Sequence, residues 1–159
     1  MASSRKYWKT IGYQGFSRFI ASDADFFLLR RLDQLAAWTL LRRQDEIVEL
    51  ESRLAELEGR LTKADMNIYN GSFREETQQT RKDLLDEIDN KLESYYEFVN
   101  KYTELCSRPK VDKIQASSVA TWFKNYEHAI HKAETDYIRQ RKDLFSIHPL
   151  QISPPTTAT

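Results

Sequence analysis

The chain has 159 residues, 40% of them hydrophobic and 30% charged, with 24 basic side chains balanced by 24 acidic ones. That length suits one domain with a real core. The charge balance argues against nucleic acid as a partner, because counterion release by Lys and Arg supplies most non-specific affinity.

Only four Gly and four Pro occur, so long helices with few connections are expected. A single cysteine, Cys106, leaves no internal disulfide framework and suits a reducing, cytoplasmic setting. Charges interrupt every apolar stretch, and neither a signal peptide nor a bilayer span is expected. Residues 1–21 mix basic and aromatic side chains, among them Arg5, Lys6, Tyr7, Trp8 and Lys9. Gly12 and Gly15 interrupt this stretch, which reads as an irregular lead-in with one short helical turn over Phe16 to Ala21.

Ser22-Asp23-Ala24-Asp25 is a start signal, since Ser22 can cap free backbone N–H groups and the carboxylates suit the positive end of a helix dipole. A helix is therefore expected over 23–63. Within it Ile47, Leu50, Leu54, Leu57 and Leu61 alternate by three and four, the heptad seam of a coiled coil. Glu49 with Arg53 and Glu56 with Arg60 stand at i,i+4. Asn70-Gly71 marks a turn, and Ser72 with Glu75 has capping-box spacing that opens a second helix over 73–107. Its stripe is Leu85, Ile88, Leu92, Tyr95, Val99, Tyr102 and Cys106.

Pro109 ends that helix, and shorter helices are expected over 114–125 and 129–145. The Pro/Thr-rich tail 147–159 is expected to be disordered. The fold class that follows is all-α: a helical bundle built on a long antiparallel helical hairpin, with two shorter helices packed alongside. It forms a single domain over 22–146.

Gly12-Tyr13, then Ile20 to Phe27 with Arg30 and Arg31, resemble the GY and ASDxDFFxxRR signature of a fungal family of uncharacterised proteins. The resemblance continues through Arg43 to Glu51, Leu84 to Leu92, Trp122, Glu134 and the Asp143-Leu144 pair. It implies a helical cytosolic region usually followed by C-terminal membrane helices. A Pro/Thr tail stands where those helices would follow, so no membrane span is expected here. The resemblance implies no established activity and no catalytic residues.

For chemistry, His128, His131 and Glu134 at spacings of three are the nearest approach to a metal site on one helix face. One short helix supplies all three, so a solvated polar face is the preferred reading and no cofactor or metal is expected. Asp23 and Asp25 near Asp33 suit a cation or a diphosphate, although a helix dipole already accounts for them. Of Arg30 and Arg31, at least one should face apolar surroundings and pair with Asp23, Asp25 or a nearby glutamate; an anionic head group is the functional alternative. Cys106 falls on the apolar stripe and reads as a buried, inert thiol.

The expected function is a non-enzymatic helical interaction or scaffolding module that self-associates or meets a protein partner through Arg42, Arg43, Glu46 and Arg53 beside the seam. One alternative is peripheral association with an anionic membrane. Residues 1–31 hold six basic side chains against two acidic, beside Tyr7, Trp8 and Phe16. The other alternative is a small enzyme with an unrecognised helical site.

Overall fold

The computed structural model describes residues 10–64 and 70–148. Its elements are α1 (Gly12–Ala21), β1 (Leu28–Arg30), α2 (Asp33–Lys63), α3 (Gln79–Cys106), α4 (Lys113–Asn125), α5 (Lys132–Thr135) and β2 (Leu144–Ser146). Two 3-10 turns, Asp136–Arg139 and Arg141–Asp143, lead into β2. The protein is a mainly α-helical bundle with one small antiparallel sheet, in which Leu28, Leu29 and Arg30 face Ser146, Phe145 and Leu144. Two compact units share the chain: Gln34–Tyr102 is one, and the segments up to Asp33 and from Thr103 form the other.

The Gln34–Tyr102 unit is a helical hairpin, and its cross-helix partners show the antiparallel sense. Arg43 donates to the Ser94 carbonyl at 3.0 Å, Glu46 pairs with Lys91 at 3.2 Å, and Glu58 pairs with Arg81 at 3.0 Å. Leu50 and Leu57 are buried along the inner face of α2, with Ile47, Leu54 and Leu61 half-buried between them. Opposite them, the half-buried positions of α3 are Leu85, Ile88, Leu92, Tyr95, Val99 and Tyr102. Near the connection Arg81 is almost wholly buried and saturated with acceptors: Glu76 at 2.8 and 2.9 Å, Glu58 at 3.0 Å and the Asn70 side chain at 2.8 Å. A buried guanidinium is tolerated only with such partners.

Three helix boundaries differ from expectation. The second helix starts at Gln79, not at 73. Ser72 does accept the Glu75 N–H at 3.1 Å, but the bond closes a turn, and Glu76 turns its carboxylate to Arg81 instead of continuing a helix. The 129–145 helix is reduced to the four residues of α5. His128 has φ 69, which breaks the helical path, and Leu144, Phe145 and Ser146 are all buried in β2.

The third difference is the start of α2, at Asp33 rather than 23. Ser22 ends α1, its N–H and hydroxyl both bonding the Phe19 carbonyl. Asp25 N–H bonds the Asp23 side chain at 2.8 Å, a local turn that competes with helix. Upstream, Gly12–Ala21 is a ten-residue helix rather than an irregular lead-in. Phe16, Phe19 and Ile20 lie three and four apart and pack into the core of this unit, with Leu28, Val111, Val119, Ile130, Ile138 and Leu144. Leu28 and Val119 are completely buried, each worth about 1.5–3 kcal/mol of transfer free energy. At the other end, Ile147 N–H bonds the Phe27 carbonyl and His148 approaches Asp25, so the first two residues assigned to the tail are held; 149–159 lie outside the described residues.

Asp143 ties these pieces together. One carboxylate oxygen accepts Arg30 Nε at 2.8 Å and the Leu32 N–H at 3.3 Å, and the other accepts the Asp33 N–H at 3.0 Å. Its carbonyl accepts the Arg31 N–H at 2.8 Å. Arg31 in turn reaches Asp33 at 3.1 Å and the carbonyls of Lys142 at 2.6 Å and Leu144 at 3.4 Å. Leu32 turns the chain from β1 into α2 with φ 61, a left-handed conformation that costs a leucine about 1–2 kcal/mol. The predicted effect of Asp143→Ala is a loss on the order of 3 kcal/mol, since several partners lose a charged acceptor. Asp143→Asn should lose less, because its amide oxygen still accepts. Urea unfolding measures both, and an unshifted midpoint for Asp143→Ala would remove the carboxylate from this role.

Candidate interaction surface

A second set of apolar side chains on α2 stays exposed among the described residues. At about 100° per residue, Leu41 and Val48 stand roughly opposite Leu50 and Leu57, with Trp38 at about a right angle to them and Leu35 nearer the inner face; all four are exposed. Leu35 is 59% exposed, Trp38 68% and Leu41 61%. Exposed apolar side chains in isolation are ordinary, but a row at helical spacing is the pattern of a docking helix.

The charged residues named beside the seam serve the hairpin itself. Arg43 is spent on α3, with its guanidinium 5.0 Å from the Phe98 ring centroid as well as on the Ser94 carbonyl. Glu46 bridges Lys91 and Arg42, whose cationic groups hold its carboxyl below the usual range. Arg53 pairs with Glu49 at 2.7 Å one turn away. Of the four, Arg42 and Arg53 stay exposed and flank the apolar stripe. Arg5, Lys6, Tyr7, Trp8 and Lys9 lie outside the described residues.

His128, His131 and Glu134 do not share a helix face, because the helix begins only at Lys132. Glu134 instead accepts the Tyr13 hydroxyl at 2.8 Å, which raises the Tyr13 pKa, and His131 stands 3.9 Å from it. Tyr137 is pushed up to about 12 by burial. Cys106 is exposed, not buried; the half-buried position at the end of the α3 stripe belongs to Leu105.

Arg30 and Arg31 find carboxylates, but from Asp143 and Asp33 rather than Asp23 or Asp25. That occupies Asp33, and the group that could hold a cation is Asp23, Asp25 and His148, whose ligand atoms lie within 4.8 Å of one another. All three lie largely open to solvent and already bond locally. His148 Nε2 is 2.9 Å from Asp25 Oδ1, and Gln115 donates to that oxygen at 3.0 Å. His148 was read as tail; its position beside Asp25 follows from the β1–β2 pairing just before it.

The His148 ring, then Gln115, hold the Asp25 carboxyl below its ordinary value of 3.8. A depressed folded pKa means that this stabilisation is complete above the unfolded value and fades as pH falls through the folded one. Asp25→Asn should therefore flatten the acid side of the stability profile below about pH 4. Thermal unfolding from neutral to acidic pH reads this, and an acid limb identical to wild type would assign it elsewhere.

Beside α1 and α4 lies an open groove of about 580 Å³. Phe19, Phe26 and Trp122 floor it, with Phe19 stacked on both at 4.6 and 5.7 Å. Lys113, Ile114, Ser117, Ser118, Thr121 and Asn125 form its other wall. No helix among the described residues is long and apolar enough to cross a membrane.

No curated protein and no solved structure matches the chain. The model of a family of unknown function, DUF6594, matches residues 13–158. That span takes in α1, the hairpin, the Asp143 network and the apolar stripe alike, and the chain belongs to this family of unknown function.

Proposed function

We propose that this chain is a non-enzymatic helical interaction module, whose docking surface is the outward face of α2 and whose occupant is an amphipathic helix. The observation that carries the reading is the row Leu35, Trp38, Leu41 and Val48, exposed on a helix whose opposite face α3 already covers. Burying such a row against a second apolar stripe is the helix-in-groove mode of recognition, here with anchors three, three and seven residues apart. An exposed tryptophan is a frequent energetic anchor of an interface. Arg42 at the margin and Asp45 within the row, between Trp38 and Val48, would align the incoming helix through charge.

A photo-crosslinking amino acid placed at position 38 should give a discrete adduct in cells, at several times the yield from position 93, an exposed site on α3. Equal yields, or none at position 38, would reject the α2 face as the docking surface.

A second reading is association with an anionic lipid surface. It is favoured by the basic surplus of residues 1–31, by Ile114, which is 78% exposed beside Lys113 at the aromatic groove, and by the resemblance to a fungal family that carries membrane helices. Basic residues near such a surface are worth about 1 kcal/mol each. Co-sedimentation with phosphatidylserine vesicles should then be salt-sensitive and be lost when residues 1–11 are deleted. Binding that survives the deletion would eliminate this route.

A further inference from the structure

We propose that the occupant of the α2 face is a second copy of this chain, laid antiparallel along α2; this rests on the reading of that face as a docking surface. The reason is a graded stripe. At about 100° per residue, Ser52, Ala55 and Gly59 continue the row of Trp38, Leu41 and Val48, in which Asp45 also lies, and all three are exposed. The stripe is bulky in the first half of α2 and small in the second. Two copies in parallel would set bulk against bulk and leave small against small. Antiparallel copies set bulk on small twice over, and interdigitation of this kind is what close packing between helices requires.

The register follows from where there is room. Around Gly59 lies a surface hollow of about 440 Å³ lined by Glu56, Gly59, Arg60 and Lys63. A Cβ built on Gly59 would meet nothing within 4 Å. Seating Trp38 of one copy over Gly59 of the other places Leu41 near Ala55 and Ser52 and repeats the contact across the two-fold axis.

The same register brings Arg42 alongside Glu56 of the second copy and Asp45 across from Ser52, an ion pair and a hydrogen bond that each occur twice. Glu49 comes near its own counterpart at the axis, where Arg53, 2.7 Å from its carboxylate, offsets the like charge. The overlap from Trp38 to Gly59 is about 32 Å long. One helix per copy buries less than a large obligate interface, so a reversible dimer with a Kd on the order of micromolar is expected.

Sedimentation velocity of the full chain over the micromolar range tests this. The expected result is a reversible monomer–dimer equilibrium, weakened about tenfold or more by Trp38→Glu and separately by Gly59→Leu, which fills the hollow. Both positions are exposed, so circular dichroism should stay helical in each variant; a variant that loses helicity is replaced by Leu41→Glu or Ala55→Glu on the same stripe. In the dimer, the position-38 crosslink should land between residues 52 and 63 of the second copy.

A chain that stays monomeric, a dimer indifferent to these substitutions, or a crosslink landing elsewhere on the second copy would overturn the proposal. A monomer whose position-38 adduct carries a different protein would overturn the second copy while leaving the docking face intact. A monomer with no adduct at all would remove both.

Discussion

One carboxylate decides where the longest helix begins. The first N–H groups of a helix have no intrahelical acceptor, and a side chain just upstream normally supplies one. Here the acceptor comes from Asp143, more than a hundred positions away in sequence, which holds the N–H groups of Leu32 and Asp33 together with Arg30 Nε. Because Asp143 directly precedes β2, the same contact aligns β1 with β2 and brings Ser146 and His148 to Ala24 and Asp25. The left-handed Leu32 is held within this network, with its N–H bound and Arg31 clamping the residues on either side of Asp143. Arg30, Arg31 and Asp143 are thus a structural set, and their charge is spent on the protein itself.

Within the Gln34–Tyr102 unit a different economy applies. The seam of α2 meets the stripe of α3, and Arg81 satisfies the polar groups near the connection, so the inner face is complete. Several conspicuous charges, Arg43 and Glu46 among them, are absorbed by cross-helix contacts. Among the described residues, the apolar side chains Leu35, Trp38, Leu41 and Val48 of α2 stay exposed. That inverts the usual intuition that charged residues beside a leucine seam recognise a partner: here several of them stabilise the hairpin, and on the proposed reading the outward leucines and tryptophan would meet the partner.

The grading of the outward stripe from bulky to small gives the surface a direction. A helix with uniform leucines accepts either orientation of a partner, whereas in the proposed dimer Trp38 near one end and Gly59 near the other would discriminate between them largely by volume. That discrimination comes from the cost of leaving a void where small meets small and of a clash where large meets large.

What the sequence determined by itself is whatever depends on neighbours within a few turns. The helical character, the alternation that makes Leu50 and Leu57 inward-facing, the hairpin's antiparallel sense and the Glu49–Arg53 pair all follow from local spacing. Only the tertiary structure decided that Ser22 closes a helix rather than opening one, that residues 28–30 are a strand, and that 144–146 pair with them. The strand pairing joins residues more than a hundred positions apart, Ser22 bonds the Phe19 carbonyl behind it instead of capping a helix ahead, and a three-residue strand has too little periodicity to compete with a strong local helix signal. The same limit hid the His148–Asp25 contact, the role of Asp143 and the exposure of Cys106. Apolar spacing tells which residues share a face of a helix; whether another part of the chain covers that face is settled by packing, and among the described residues α2 buries Leu50 and Leu57 while Trp38, Leu41 and Val48 stay exposed.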